Sequence, residues 1–254
     1  MAGVAYEESD PNWMRDPLSI LRRKWFEVPS GDHRFTTTDL LKLSDRELVA
    51  KWKQMHAEAT TGPHFSVRGW YHTLYRDILR NKRVMDVGSG LGLDGITFAE
   101  AGAHLTYVDI IKSNLQLLRR LNEAMGLTTA SYFYLQDFSI FDQLAPEYDV
   151  IWCQGSMINA PFEVMKIEVA ELLKHLPIGG RWIELAYPKE RWEREGRMPF
   201  HLWGERTDGE GTPWVEWYDL EKLLARLAPA KFEVVLALNF HNDDFNWFDL
   251  KRTA

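Results

Sequence analysis

The residues best placed to do chemistry stand in one stretch, Val84-Met85-Asp86-Val87-Gly88-Ser89-Gly90-Leu91-Gly92. Val84, Met85 and Val87 read as a short buried parallel strand. Gly88, Gly90 and Gly92 then allow a turn that needs positive φ or close backbone approach to a ligand. A helical pattern through Leu93, Ile96, Phe98 and Ala99 follows and closes at Ala101-Gly102. A ligand is therefore expected at that helix N-terminus. Gly90-Leu91-Gly92-Leu93-Asp94-Gly95 also fits G-x-G-x-x-G, the dinucleotide fingerprint, but it starts beyond Gly88 rather than directly after the strand. Asp86, an acid at the end of an apolar strand, would repel a pyrophosphate and suits a cationic ligand without phosphate. An NAD oxidoreductase is thereby reduced to a rival reading.

Tyr107-Val108-Asp109 ends a second apolar strand, and Asp109 lies about twenty residues after Asp86, the spacing of an acid that accepts ribose hydroxyls. That spacing suits SAM and NAD alike. The order Asp86-x-Gly88-x-Gly90-x-Gly92 resembles motif I of the class I S-adenosylmethionine (SAM) methyltransferases. Gln136-Asp137-Phe138 looks like that family's adenine-edge segment, and Tyr148-Asp149-Val150-Ile151-Trp152-Cys153 its D-V-I-x strand. Leu176-Pro177-Ile178-Gly179-Gly180 looks like its L-x-P-G-G turn, with Ile178 inserted. The resemblance runs over residues 64–252. It implies SAM as cofactor and S-adenosylhomocysteine (SAH) as product, held by Asp86, Gly88, Ser89, Gly90, Asp109, Ile110, Asp137, Phe138 and Gln154. Members that methylate nucleobase or glutamine amides carry N/D-P-P-Y after strand four. Cys153-Gln154-Gly155-Ser156 stands there instead, which removes that class and leaves Gln154 near the sulfonium.

The elements that must position these residues alternate regularly: helix 91–101, strand 104–109, helix 112–125, strand 131–135, strand 148–153, helix 161–176, strand 181–187. Such alternation implies right-handed crossovers and a parallel sheet. A helix over 219–227, a strand over 232–238 and a final strand over 245–250 complete a seven-stranded, mostly parallel, Rossmann-like α/β sheet with an antiparallel last strand and helices on both faces. Residues 1–60 read as a partly helical extension, with helices over 18–26 and, after the capping box Ser44-x-x-Glu47, to Ala59. The methyltransferase-like domain is 61–254, with a lid inserted over 188–217, too long for an ordinary connection. The helix over 65–79 enters strand one at its amino end, so its own start lies at the crevice. His64, Phe65 and Arg68 are thus candidates for the acceptor or the SAM carboxylate.

The acceptor side rests on two stretches. Trp192, Phe200, Trp203, Trp214 and Trp217 lie in or beside the lid, where they either stack on a sugar ring or build the lid's own core. The hairpin turn carries Asn239, His241, Asn242, Asp243 and Asp244 at the carboxyl end of strand six. His241 is the candidate general base for a hydroxyl acceptor, since an alcohol proton must leave as oxygen attacks and histidine titrates near neutrality. The ordinary alternative is that these are turn formers. A divalent cation on His241, Asp243 and Asp244 is another, although nothing completes a metal signature. Tyr187, Trp203, Asn242 and Asp243 are the further acceptor candidates. The reading is an O-methyltransferase for a small molecule, with a sugar or glycoside first; transfer to nitrogen or a carboxylate, or a non-catalytic SAM-binding protein, are the alternatives.

Composition bounds these readings. The 254 residues are 45% hydrophobic and 26% charged, enough for a full core. A net charge of -7 argues against a nucleic-acid partner. The single cysteine, Cys153, excludes an intramolecular disulfide and a C-x-x-C metal site. With no long apolar run or signal-peptide pattern, no membrane partner is expected and a cytoplasmic location is the default. The oligomeric state is not legible.

Overall fold

The structure, a computed structural model, describes residues 12–26 and 36–254. Five helices precede the first strand: α1 (Asn12–Arg15), α2 (Pro17–Trp25), α3 (Thr37–Leu41), α4 (Asp45–Thr60) and α5 (Gly69–Ile78). Their starts are written in the chain. Asp16 accepts from the Ser19 N–H at the head of α2, with Pro17 in the first turn. Thr36 with Asp39 and Ser44 with Glu47 form reciprocal capping boxes on α3 and α4. The expected continuous helix over 65–79 is instead a 3-10 turn, Gly62–Ser66, followed by α5. Of the extension expected over 1–60, residues 1–11 and 27–35 lie outside the described residues.

The sheet has the order β3-β2-β1-β4-β5-β7-β6. Its strands are β1 (Arg83–Val87), β2 (His104–Asp109), β3 (Ser131–Tyr134), β4 (Val150–Gln154), β5 (Arg181–Ala186), β6 (Phe232–Phe240) and β7 (Phe245–Arg252). All neighbours pair in parallel except β7, which is antiparallel to both β5 and β6. The crossover helices are α6 (Leu93–Glu100), α7 (Lys112–Ala124), α8 (Phe162–Leu172) and α11 (Leu220–Leu227). The lid folds as α9 (Lys189–Arg194) and α10 (Phe200–Asp208).

Alternation along the strands separates two cores. Met85, Val87, Ile151 and Cys153 face one side with α2, α8 and α11. Val84, Val150 and Trp152 face the other with α4 to α7. Because strand order reverses between β1 and β4, the crossovers leave in opposite directions there and open a crevice beyond the carboxyl ends. Among the described residues no helix is long and apolar enough to cross a membrane.

Candidate active site

The crevice is a cavity of about 1070 Å³, at the upper end of the roughly 300–1,000 Å³ of small-molecule sites. Its floor is the loop after β1. Gly88 has φ +74°, and a Cβ there would come within 2.4 Å of Ser156 Cβ. Gly90 has φ +52° with open space where a Cβ would stand, so the backbone is bare toward the cavity. The Gly90 N–H donates to Asp109 Oδ2 at 2.9 Å and the Ile111 N–H to Asp109 Oδ1 at 2.7 Å. Burial nevertheless pushes the Asp109 carboxyl up to about 6, against those hydrogen bonds and that of Asn114. Asp86 is raised too, by burial and then by the neighbouring Asp94 and Asp109 charges.

Asp94 anchors the wall on the α5 side. It sits in the first turn of α6, where the helix dipole favours an acid. Its Oδ1 accepts from Arg68 Nη1 and from His72 Nε2, each at 2.6 Å, and its Oδ2 from Trp152 Nε1 at 3.4 Å. Burial alone would raise this carboxyl, yet Arg68 and His72 hold it well below the usual range. His72 in turn meets His56, which burial and the neighbouring His72 lower to about 4.

Two side chains aimed at the cavity have nothing to bond. Both amide atoms of Gln154 are buried without a partner, a state that costs free energy unless a ligand satisfies them. Glu168 of α8 is 5% exposed and also lines the cavity. It has no hydrogen bond or ion pair among the described residues, and burial pushes it up to about 7. A third group is fully built. Tyr187, leaving β5, donates to Asp208 Oδ1 at 2.6 Å, and Asn159 Nδ2 donates to Asp208 Oδ2 at 3.1 Å.

The extension closes the roof. Arg22 of α2 donates to the carbonyl oxygens of Ile110 at 3.1 Å and of Leu135 and Gln136 at 2.6 Å. Leu18, Leu21 and Trp25 on the same helix face the cavity, as do Met55 and Glu58 of α4.

Of the residues singled out from sequence, Asp86, Gly88, Ser89, Gly90, Asp109 and Ile110 all line the cavity. Arg68, Gln154, His64 and Tyr187 join them. His64 Nδ1 donates to the Glu58 carbonyl at 2.8 Å, which leaves Nε2 as an acceptor. The others lie off this wall. Asp137 turns outward to cap the Ser139 N–H at 2.9 Å, and Phe138 stacks on Phe141. Phe65 is 47% exposed. Trp203 is completely buried and donates to Glu195 at 2.8 Å; with Trp192, Phe200, Trp214 and Trp217 it joins the core on the α2, α8 and α11 side of the sheet. None of these lid aromatics lines the cavity, so the sugar-stacking surface expected of them is absent from it.

His241, Asn242 and Asp243 also stand off the wall. All three take positive φ, 55°, 56° and 61°, the left-handed region that Asn and Asp enter most easily among side-chain-bearing residues. His241 Nδ1 lies 3.1 Å from Ser66 Oγ. Arg194 of α9 donates to the Asn242 carbonyl and to Asp244 Oδ1. Among the described residues no group of three or more His, Cys, Asp or Glu is arranged to hold a metal ion, these included. Sequence reasoning missed Asp94, Glu168, Asn159 and Asp208. Asp94 stands inside the Gly90–Gly95 run, where an acid in the first turn of a helix is a usable signal; the other three carry no local signal.

Compared with known proteins, residues 84–180 match the methyltransferase domain family. No curated protein matches the chain in sequence. Among solved structures, the N-methyltransferase NodS from Bradyrhizobium japonicum WM9, in complex with SAH, is similar with a TM-score of 0.55 at 14% identity, over 81% of this chain and 98% of that one. Magnesium protoporphyrin IX methyltransferase from Synechocystis PCC 6803 with bound SAH gives 0.54 at 17% identity, over 96% and 100%. A Burkholderia thailandensis 1,6-didemethyltoxoflavin-N1-methyltransferase, with its acceptor and SAH bound, gives 0.52 at 15%, over 90% and 95%. At these identities the likeness is one of fold.

Proposed function

We propose that this chain, a class I methyltransferase domain by its fold and by its family match over residues 84–180, binds SAM and transfers its methyl group to a small molecule. The observation that carries the reading is the charge of the cavity. Glu58, Asp86, Asp94, Asp109, Glu168 and Asp208 line it against two cations, Lys51 and Arg68. Arg68 is already paired with Asp94. Burial favours the neutral forms of Asp86, Asp109 and Glu168, so these acids ionise most readily beside a bound cation; the lining disfavours the pyrophosphate of a dinucleotide and suits a sulfonium and an ammonium.

The residues present fit SAM. Asp109, beside the bare Gly90 backbone, can accept two ribose hydroxyls in place of its two long contacts from Asn114 Nδ2, at 3.4 and 3.3 Å. The unpartnered Gln154 amide stands at the end of β4. Arg68, on the opposite wall, meets a carboxylate, and α2 shuts water out from above. Bound there, the sulfonium supplies an activated methyl carbon. The protein's part is to align an acceptor lone pair with the S–C bond and to keep the site dry, which accounts for much of the rate of a displacement. The three solved relatives include two named as N-methyltransferases and one magnesium protoporphyrin IX methyltransferase, which supports a small-molecule acceptor and gives no support for a carbohydrate.

A hydroxyl acceptor is the second reading, and His64 favours it. Its Nε2 is free to accept a proton at the cavity wall, whereas His241 stands off it. Calorimetric titration with SAH and, separately, NADH tests the cofactor reading. Micromolar SAH binding without NADH binding is expected; NADH binding without SAH binding overturns it.

A further inference from the structure

We infer that the acceptor is a basic amine and that Asp208 receives its nitrogen; this rests on the methyltransferase reading above. Asp208 ends α10 and is the only residue of the lid, 188–217, on the cavity wall. Three separate segments converge on it: the exit of β5 through Tyr187, the loop after β4 through Asn159, and the lid itself. Both donors are neutral, so the negative charge of the group is left whole. Arg191 and Lys24 pull its pKa down from a distance, less than desolvation pushes it up, and their own hydrogen bonds go to other groups. Lys24 donates to the Glu210 carbonyl at 2.7 Å, and Arg191 pairs with Glu195 at 3.1 Å. A half-buried carboxylate with one hydrogen bond on each oxygen and no cation bonded directly to it keeps lone pairs for another donor and gains most from a charged one.

A second, independent feature points the same way. Glu168 lines the same cavity, is buried, and makes no hydrogen bond or ion pair among the described residues, the Arg226 charge reaching it only at a distance. A ligand with N–H groups satisfies it; an anionic acceptor would face both acids. A basic amine that arrives as its ammonium first loses one proton to solvent and then reacts as the free base. Its lone pair forms the new N–C bond as the S–C bond breaks, sulfur keeps that electron pair, and positive charge arrives on nitrogen. The N–H of the resulting ammonium donates to Asp208, so the carboxylate stabilises charge where it develops.

The probes are benzylamine, benzyl alcohol and benzoate, titrated calorimetrically into SAH-loaded protein at pH 7.5. Absence of SAH binding would sink the methyltransferase reading before the amine question arises. Given SAH binding, benzylamine should bind at least about tenfold tighter than either of the others, as a hydrogen bond to a charged group warrants. Asp208→Asn should remove that preference while SAH affinity holds, and Glu168→Gln should reduce it. Equal binding of amine and alcohol, tighter binding of benzoate, no amine binding, or a preference kept in Asp208→Asn each overturns the inference. The wild-type comparison decides by itself if a variant fails to fold.

Discussion

Two polar clusters flank the carboxyl ends of β5 and β6, and they are built on opposite terms. The hairpin turn at 241–244 concentrates His, Asn and Asp, yet it is bound by backbone geometry and by the lid arginines. The Tyr187–Asp208–Asn159 cluster is scattered along the chain, yet its groups meet inside the cavity. A dense run of polar residues in sequence is what a tight turn needs, because short polar side chains tolerate left-handed backbone and saturate local hydrogen bonds. Binding chemistry needs something else: a polar group withheld from water and left with bonding capacity, which requires walls from distant segments.

Substitutions can break that contrast. The largest effect is expected at Asp94→Ala, which strands the Arg68 guanidinium in the cavity wall and the buried His72 ring behind it. Removing one partner of such a buried pair costs about 3–5 kcal/mol, and urea unfolding should show a loss of that order. A loss below about 1 kcal/mol would mean that water already satisfies Arg68.

Asp109→Ala comes next. It should weaken SAH by about 1–3 kcal/mol through lost ribose hydrogen bonds, read by calorimetry; unchanged affinity would displace the cofactor from this wall. The same carboxyl sets a pH dependence. It is raised to about 6, so its acceptor form is complete above that value and is lost as pH falls through it. SAH affinity should therefore be flat from about pH 8 to 7 and decline below about 6, by up to tenfold per unit for one proton. Asp109→Asn should abolish the decline.

A smaller effect is expected at Tyr187→Phe, which removes the shorter of the two hydrogen bonds on Asp208. A cost of about 0.5–1.5 kcal/mol in acceptor kcat/KM is expected, with SAH affinity unmoved. His241→Ala closes the comparison from the other side. On the surface-turn reading it leaves turnover within about twofold and stability within about 0.5 kcal/mol. A hundredfold loss of turnover would return the general base to the hairpin, and the comparison would have to be redrawn.

The strand and loop pattern was legible because it is periodic and local. Val84 to Gly92 announces a strand, an open turn and a helix by residue type alone, and β2 matches its expected span of 104–109. Where helices ended early, local chemistry decided: Pro63 and the 3-10 turn separated α5 from its expected start, and α8 stopped at Leu172. Aromatic content misleads for the reason polar content does. The tryptophans at 192, 203, 214 and 217 pack the lid onto the core on one face of the sheet, and large rings bury the most area per residue.

The sequence by itself determined the sheet, the glycine loop and the acids at the ends of β1 and β2, because each follows from short-range periodicity and backbone freedom. Only the tertiary structure decided that α2 and α4 roof the cavity, that Asp94 holds Arg68, and that Asp208 meets Tyr187 and Asn159. Those contacts join residues 21 to 113 positions apart, and no local pattern records which distant side chain will share a desolvated wall. Unpaired polar capacity, as at Gln154, is a property of that enclosure rather than of the residue that carries it.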